Sequence, residues 1–281
     1  MKPKHIINIH GHLRHDQDIE ARIRLWRACG VKRFCALCLP HREGTRAREG
    51  YFSNEDLAPW LKRHPDILVG MGALDLYQEP DPPEAIDRLV EQGFSGLKFI
   101  EAAYPYSHDI YFPLYARAED LGLPILFHTG WLASTAEDGR YGVNAENYRP
   151  YHLDRIARAF PRLRMIGAHL GKPHAEEALQ MISTFPNIHY DISGGSGRKP
   201  HVMWMLRALG PYPGADMADP EENPALLHFH KLCFATDNPE PPIWIEASDK
   251  IMDALYIPQE TREEFYWRNA ARIFGWAEDD L

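Results

Sequence analysis

Four cysteines in 281 residues are too few for a disulfide framework. No apolar run approaches the ~18 residues of a membrane span. The first residues carry no apolar core of the kind a secretory leader needs, so a cytoplasmic location is expected. Positive charge is also scarce: 31 Lys and Arg stand against 40 Asp and Glu, a formal net charge of −9. A phosphate backbone favours a basic footprint, so nucleic-acid and membrane-surface partners are not expected. A small molecule is, and a homodimer stays open. A phosphate-binding glycine fingerprint is missing after the first apolar segment, where "NIHGHLRHD" stands, which argues against a doubly wound dinucleotide fold. Cys35 and Cys38 have CxxC spacing. Residues three apart in a strand face opposite ways, so the pair reads as two small buried side chains and not as a zinc or redox site.

What remains is an ordinary globular composition, 44% hydrophobic and 25% charged, expected to form one domain over residues 1–281. Short apolar runs alternate with helix-period segments along the whole chain, the pattern of βα units. The first strand ends in His10, and Ile19, Ile23 and Trp26 follow at helical spacing. "VKRFCALCLP", "ILVGMGALDL", "SGLKFIE", "PILFHTG", "LRMIGAH", "NIHYDIS" and "KLCFATD" supply seven more strands. Eight units in a chain of this length predict a (β/α)8 TIM barrel. "GPYPGADMADPEENP" reads as a loop before strand eight, and "TREEFYWRNAARIFGW" as an extra C-terminal helix covering the barrel exterior.

His10-Gly-His12 invites a metal reading, yet random placement of 15 His in 281 residues gives roughly 0.8 His-x-His pairs. A second copy, His228-Phe-His230, makes the same point. Position must decide. In such a barrel the chemistry gathers at the C-terminal ends of the strands. His10 and His12 end strand one on the same face, His128 ends strand five, His169 strand six and Asp237 strand eight. Imidazoles and a carboxylate at one rim are what a borderline cation such as Zn²⁺ binds. His228 and His230 precede strand eight, at the opposite end, and read as structural.

The order His-x-His, "LFHTG", "GAHLGKP", "FATDNP" and a closing "NAARIFG" resembles the amidohydrolase superfamily. The similar branch is the amidohydrolase-related group, which includes aminocarboxymuconate semialdehyde decarboxylase and pyrone dicarboxylate lactonase. The resemblance implies that His10, His12, His128 and Asp237 hold one divalent ion, zinc expected and manganese the alternative. It also implies that His169 orients the reacting water or substrate. One departure is Asn8, where the family often carries Asp two residues before the first His, which bears on how the ligands are oriented.

With that ligand set, a bound cation would bring the pKa of water to about 7. Asp237 would take the proton, and His169 would hold the hydroxide or the developing oxyanion. Hydrolysis of an amide, ester or lactone is the leading expectation, and non-oxidative decarboxylation the alternative. A barrel that binds without turnover is disfavoured, because the ligand set is complete. Arg42, Arg46 and Arg48 after strand two, with Arg14, Tyr104, Tyr106, Trp131, Arg140 and Tyr141, predict a cationic, aromatic pocket for a carboxylate. "SGGSGRK" after strand seven could offer backbone N–H groups to an anion. Lys98 and Glu101 raise a binuclear site, as in other branches, but Lys98 reads as too early in strand four to reach the rim, so one ion is expected.

Overall fold

The computed structural model describes residues 3–40, 50–132, 142–195, 197, 199–210 and 215–281. Its strands run β1 (Ile6–Gly11), β2 (Val31–Leu37), β3 (Leu68–Ala73), β4 (Phe94–Phe99), β5 (Ile125–Phe127), β6 (Met165–Gly167), β7 (Ile188–Asp191) and β8 (Leu232–Cys233). They pair in parallel in sequence order, β1 through β8. The ring closes through backbone bonds beyond the short β8: Ile9 N–H to Phe234 O (3.0 Å), Thr236 N–H to His10 O (3.0 Å) and His12 N–H to Asp237 O (3.1 Å). The predicted barrel is the observed one, and its closure stitches the His-Gly-His segment directly to Asp237.

The helices between strands are α1 (Ile19–Ala28), α2 (Asn54–Arg63), α3 (Glu84–Glu91), α4 (Phe112–Asp120), α5 (His152–Ala159), α6 (Ala175–Thr184) and α7 (Lys199–Leu209). Local chemistry starts several of them. Asp18 Oδ1 accepts from Ala21 N–H at 2.9 Å, and Ser53 and Asp56 form a reciprocal capping box at α2. A short helix, α8 (Pro224–Phe229), opened by Asn223 and Pro224, follows the Pro-rich loop and precedes strand eight. Helix α9 (Pro241–Ala254) follows β8.

The C-terminal segment is helical without a break over residues 259–274, as expected, but carries an internal π-helical turn. It is α10 (Gln259–Glu263), a π-helical turn (Glu264–Arg268) and α11 (Asn269–Phe274), ended by Gly275 at φ 73°. Phe265, Tyr266 and Trp267 of the turn are buried. Asn269 Nδ2 donates to Phe229 O (3.0 Å) and Leu232 O (2.7 Å), which ties this segment to the start of β8.

Period-two alternation sorts β1. Asn8, His10 and His12 face inward; Gly11 faces the helix layer, where an added Cβ would lie 2.2 Å from Phe34 Cζ. The Phe34 ring stacks on Trp26 of α1 at 3.8 Å. The glycine between the two histidines is therefore a close-approach residue, which lets β1 lie against the β2–α1 layer while both imidazoles point inward.

Candidate active site

A cavity of about 600 Å³ opens at the C-terminal end of the barrel, with His10, His12, His128, His169 and Asp237 all in its wall. His10 Nε2 lies 3.7 Å and His12 Nε2 3.5 Å from Asp237 Oδ1. Ligand atoms of these three residues lie within 4.8 Å of one another. The two strand-end residues His169 and Asp237 each hold φ 61°. For non-glycine residues such a backbone costs on the order of 1–3 kcal/mol and persists only where the surroundings impose it. At Asp237 the bonds from its N–H to His10 O (2.8 Å) and from His12 N–H to its carbonyl impose it, and at His169 the bond from its N–H to Asp191 Oδ1 (3.0 Å) holds the backbone in place.

The tautomers follow from the partners. His10 Nδ1 faces Asp191 Oδ2 at 2.8 Å, and His12 Nδ1 faces the Leu37 carbonyl at 2.9 Å. Both partners only accept, so both Nδ1 atoms carry the proton and both Nε2 atoms present lone pairs. Burial, with Lys98 next, lowers the His10 imidazole to about 3, and burial lowers His12 likewise to about 3. Both rings are therefore neutral at neutral pH. His10 Nε2 is buried with no hydrogen-bond partner. Two imidazole lone pairs and a carboxylate oxygen thus converge with no donor among the described residues between them. Acceptors so gathered repel unless a cation joins them, so these three side chains fit a divalent metal.

Asp191, at the end of β7, was not singled out in the sequence, yet it organises the site. Besides His10, it accepts from His169 N–H (3.0 Å), Ser193 N–H (2.8 Å) and Ser193 Oγ (2.7 Å). Burial pushes its carboxyl up, but His10, His169 and Ser193 together hold it below the usual carboxylate range. His10, His169 and Asp191 also form a three-residue cluster. Its carboxylate oxygens are already met by donors, which makes Asp191 the group that aims His10 and not a ligand. Ser193 spends its hydroxyl proton on Asp191 and so accepts from His169 Nδ1 (3.1 Å), leaving the lone pair of a neutral His169 on Nε2. A Cβ on Gly194 would lie 2.8 Å from that Nδ1, so this position needs its glycine. Asn8 bonds Thr236 Oγ1 (2.9 Å) and receives His10 N–H (3.3 Å), a backbone role that leaves orientation of the His10 ring to Asp191.

The other expected residues divide. His128 is in the cavity wall, with its ring 5.1 Å from that of His169, but its Nε2 faces the Trp131 carbonyl at 3.2 Å and it stays outside the three-atom cluster. Burial lowers its pKa too. Trp131 lines the cavity and is 72% exposed. Arg14 and Tyr104 do not line it: Arg14 pairs with Asp16 and lies 4.8 Å over the Tyr51 ring, and Tyr104 stacks on His108. Tyr106 is buried, its hydroxyl bound to the Phe99 and His128 carbonyls. Arg42, Arg46, Arg48, Arg140 and Tyr141 lie outside the described residues. The positive charge in the described wall comes instead from Lys98 and Lys172. Lys98, next to last in β4, thus corrects the expectation that it sits too low: it lines the cavity, as a four-carbon stem allows. Glu101, at φ 60°, is buried and outside the cavity wall. Of "SGGSGRK", Gly194 and Gly195 line the cavity. Cys35 and Cys38 are buried free thiols, raised by burial, and Cys38 Sγ donates to Ser53 O.

No helix among the described residues is long and apolar enough to cross a membrane. No curated protein matches the chain in sequence. Among solved structures, it is similar to a 2,6-dihydroxybenzoate decarboxylase from Rhizobium (19% identity, 98% of this chain and 99% of that one, TM-score 0.61). It is also similar to a probable 2-pyrone-4,6-dicarboxylic acid hydrolase from Acinetobacter baumannii (13%, 98% and 100%, 0.60). A third similar structure is a 5-carboxyvanillate decarboxylase from Novosphingobium aromaticivorans with bound manganese (18%, 91% and 80%, 0.58). At these identities the likeness carries the fold alone. A family model described as amidohydrolase matches residues 40–276, most of the chain, and with that match the protein belongs to the amidohydrolase family.

Proposed function

We propose that this protein is a metal-dependent hydrolase of a small carboxylated lactone, ester or amide. One observation carries the reading: Asp237 sets one carboxylate oxygen against two neutral imidazole lone pairs while its side chain stays 17% exposed, toward the cavity. A carboxylate so placed can both share a cation and take a proton from water. His10, His12 and Asp237 would hold the ion, with His128 joining after its ring turns from the Trp131 carbonyl. Zinc fits the donor set, and manganese is the ion named in the 5-carboxyvanillate decarboxylase structure. Such an ion acidifies a water and polarises a substrate oxygen.

The remaining work belongs to side chains of this chain. Asp237 accepts the proton of the attacking water and returns it to the leaving group. His169, fixed through Ser193 and Asp191, orients that water through its Nε2 lone pair. Lys98 and Lys172 supply charge for a substrate carboxylate, and Leu39, Ile100, Leu132 and Trp131 supply apolar wall.

That combination also favours a second reading, decarboxylation of a carboxylated ring. The names of the three similar proteins all denote six-membered rings bearing carboxylates. Here Asp237 or His169 would deliver a proton to the carbon that loses CO₂. The two readings separate by assaying carboxylated pyrones and hydroxybenzoates in ¹⁸O water. Label entering the product with no CO₂ supports hydrolysis, whereas CO₂ without label overturns it in favour of decarboxylation. Either way, Asp237→Asn should lower turnover ~10²–10⁴-fold with unchanged circular dichroism. Full activity in chelator would refute the metal requirement.

A further inference from the structure

The opposite, N-terminal mouth of the barrel holds a second cavity, of about 470 Å³. Arg162 and Arg164 lead into β6, His230 and Lys231 into β8, His189 lies in β7, and Arg272 comes from α11. No acidic residue is in its described wall, in a chain whose net charge is −9. Arg162 and Arg272 have carboxylate partners, Glu119 and Glu264. Arg164 and Lys231 do not: among the described residues they bond only the carbonyls of Gly122 and Pro186.

A carbonyl satisfies one N–H but cancels no charge, and a guanidinium has five such donors and an ammonium three. Burial, with Lys231 and Arg272 next, lowers the His189 imidazole to about 3; burial and then Arg272 lower Lys231. His189 Nδ1 is buried with no hydrogen-bond partner. Crowded like charges with unused donors are complemented by a multivalent oxyanion, and the planar Arg fork suits a tetrahedral one in particular. We infer that this mouth is a phosphate-binding site, separate from the catalytic end, formed by Arg164 and Lys231 with Arg162 and Arg272 at its edge. His230 also lies in its wall, so half of the second His-x-His pair borders a ligand site after all.

Calorimetric titration of the full-length protein with inorganic phosphate, and in parallel with ribose 5-phosphate, tests this at constant ionic strength against chloride. One equivalent should bind. Lys231→Gln and Arg164→Gln should each weaken binding about tenfold or more, roughly the loss of one charge-assisted contact. Asp237→Asn should bind as the wild type does, which places the ion away from the catalytic cavity. Whichever probe binds more tightly tells a free phosphate from a phosphate ester. Saturable binding of neither, or equal affinity in a folded Lys231→Gln variant, overturns the assignment and leaves these cations as caps of helix C-termini.

Discussion

Asp191 illustrates how much of a site can rest on a residue that would never touch the substrate. Its two oxygens receive the His10 ring, the His169 backbone and both donors of Ser193, so it sets the tautomer of His10 directly and that of His169 through a hydroxyl. We predict that Asp191→Asn lowers metal affinity ~10–100-fold, measured by competition with a chelator, while the barrel signature in circular dichroism persists. The same strand-end test that picks out His128, His169 and Asp237 would have picked out Asp191, the last residue of β7. A search for ligands alone passes over it, because an orienting group has no spacing rule of its own. Lys98 was misplaced for a different reason: counting residues along a strand locates a Cα, and only packing tells where a long side chain ends.

At the scale of elements, the β1–β2–α1 corner decides whether His10 and His12 can share a target. Gly11 lets the Phe34 ring, stacked on Trp26, lie against β1. Gly11→Ala should cost ~1–3 kcal/mol in urea unfolding and reduce bound metal, because the forced shift moves the residues on either side. A Phe34→Leu change in the same chain should restore part of both; no restoration would separate Gly11 from this contact. The eight strands and most helices were legible from periodicity and caps such as Ser53. The C-terminal helix was legible too, but its π-helical turn at Glu264–Arg268 was not, because the composition is helical throughout while the turn goes with what Phe265, Tyr266 and Trp267 bury against β1 and β8.

At the scale of the whole molecule, buried histidines make stability depend on pH. His10, His12 and His189 are lowered to about 3 and His201 to about 4, each chiefly by burial. Between those values and ~6.5 the unfolded chain takes up protons that the folded chain refuses, so stability falls as pH drops through that window. Each such group steepens the fall by up to ~1.4 kcal/mol per pH unit. The urea midpoint of the metal-free protein should therefore decline steadily from pH 7 to pH 5. A midpoint flat across that range would mean that these imidazoles are reachable by protons in the folded state.

The sequence by itself determined the alternation of strands and helices, the acidic net charge, and the five polar residues at strand ends, because composition, periodicity and order along the chain are local properties. Tertiary structure alone decided which of those residues meet. Closure of β8 onto β1 brings Asp237 to within 3.5 Å of His12, whereas a carbonyl three residues on turns His128 aside. Such distances depend on side-chain rotamers and on a ring closing across more than two hundred residues, and no spacing in the chain encodes either.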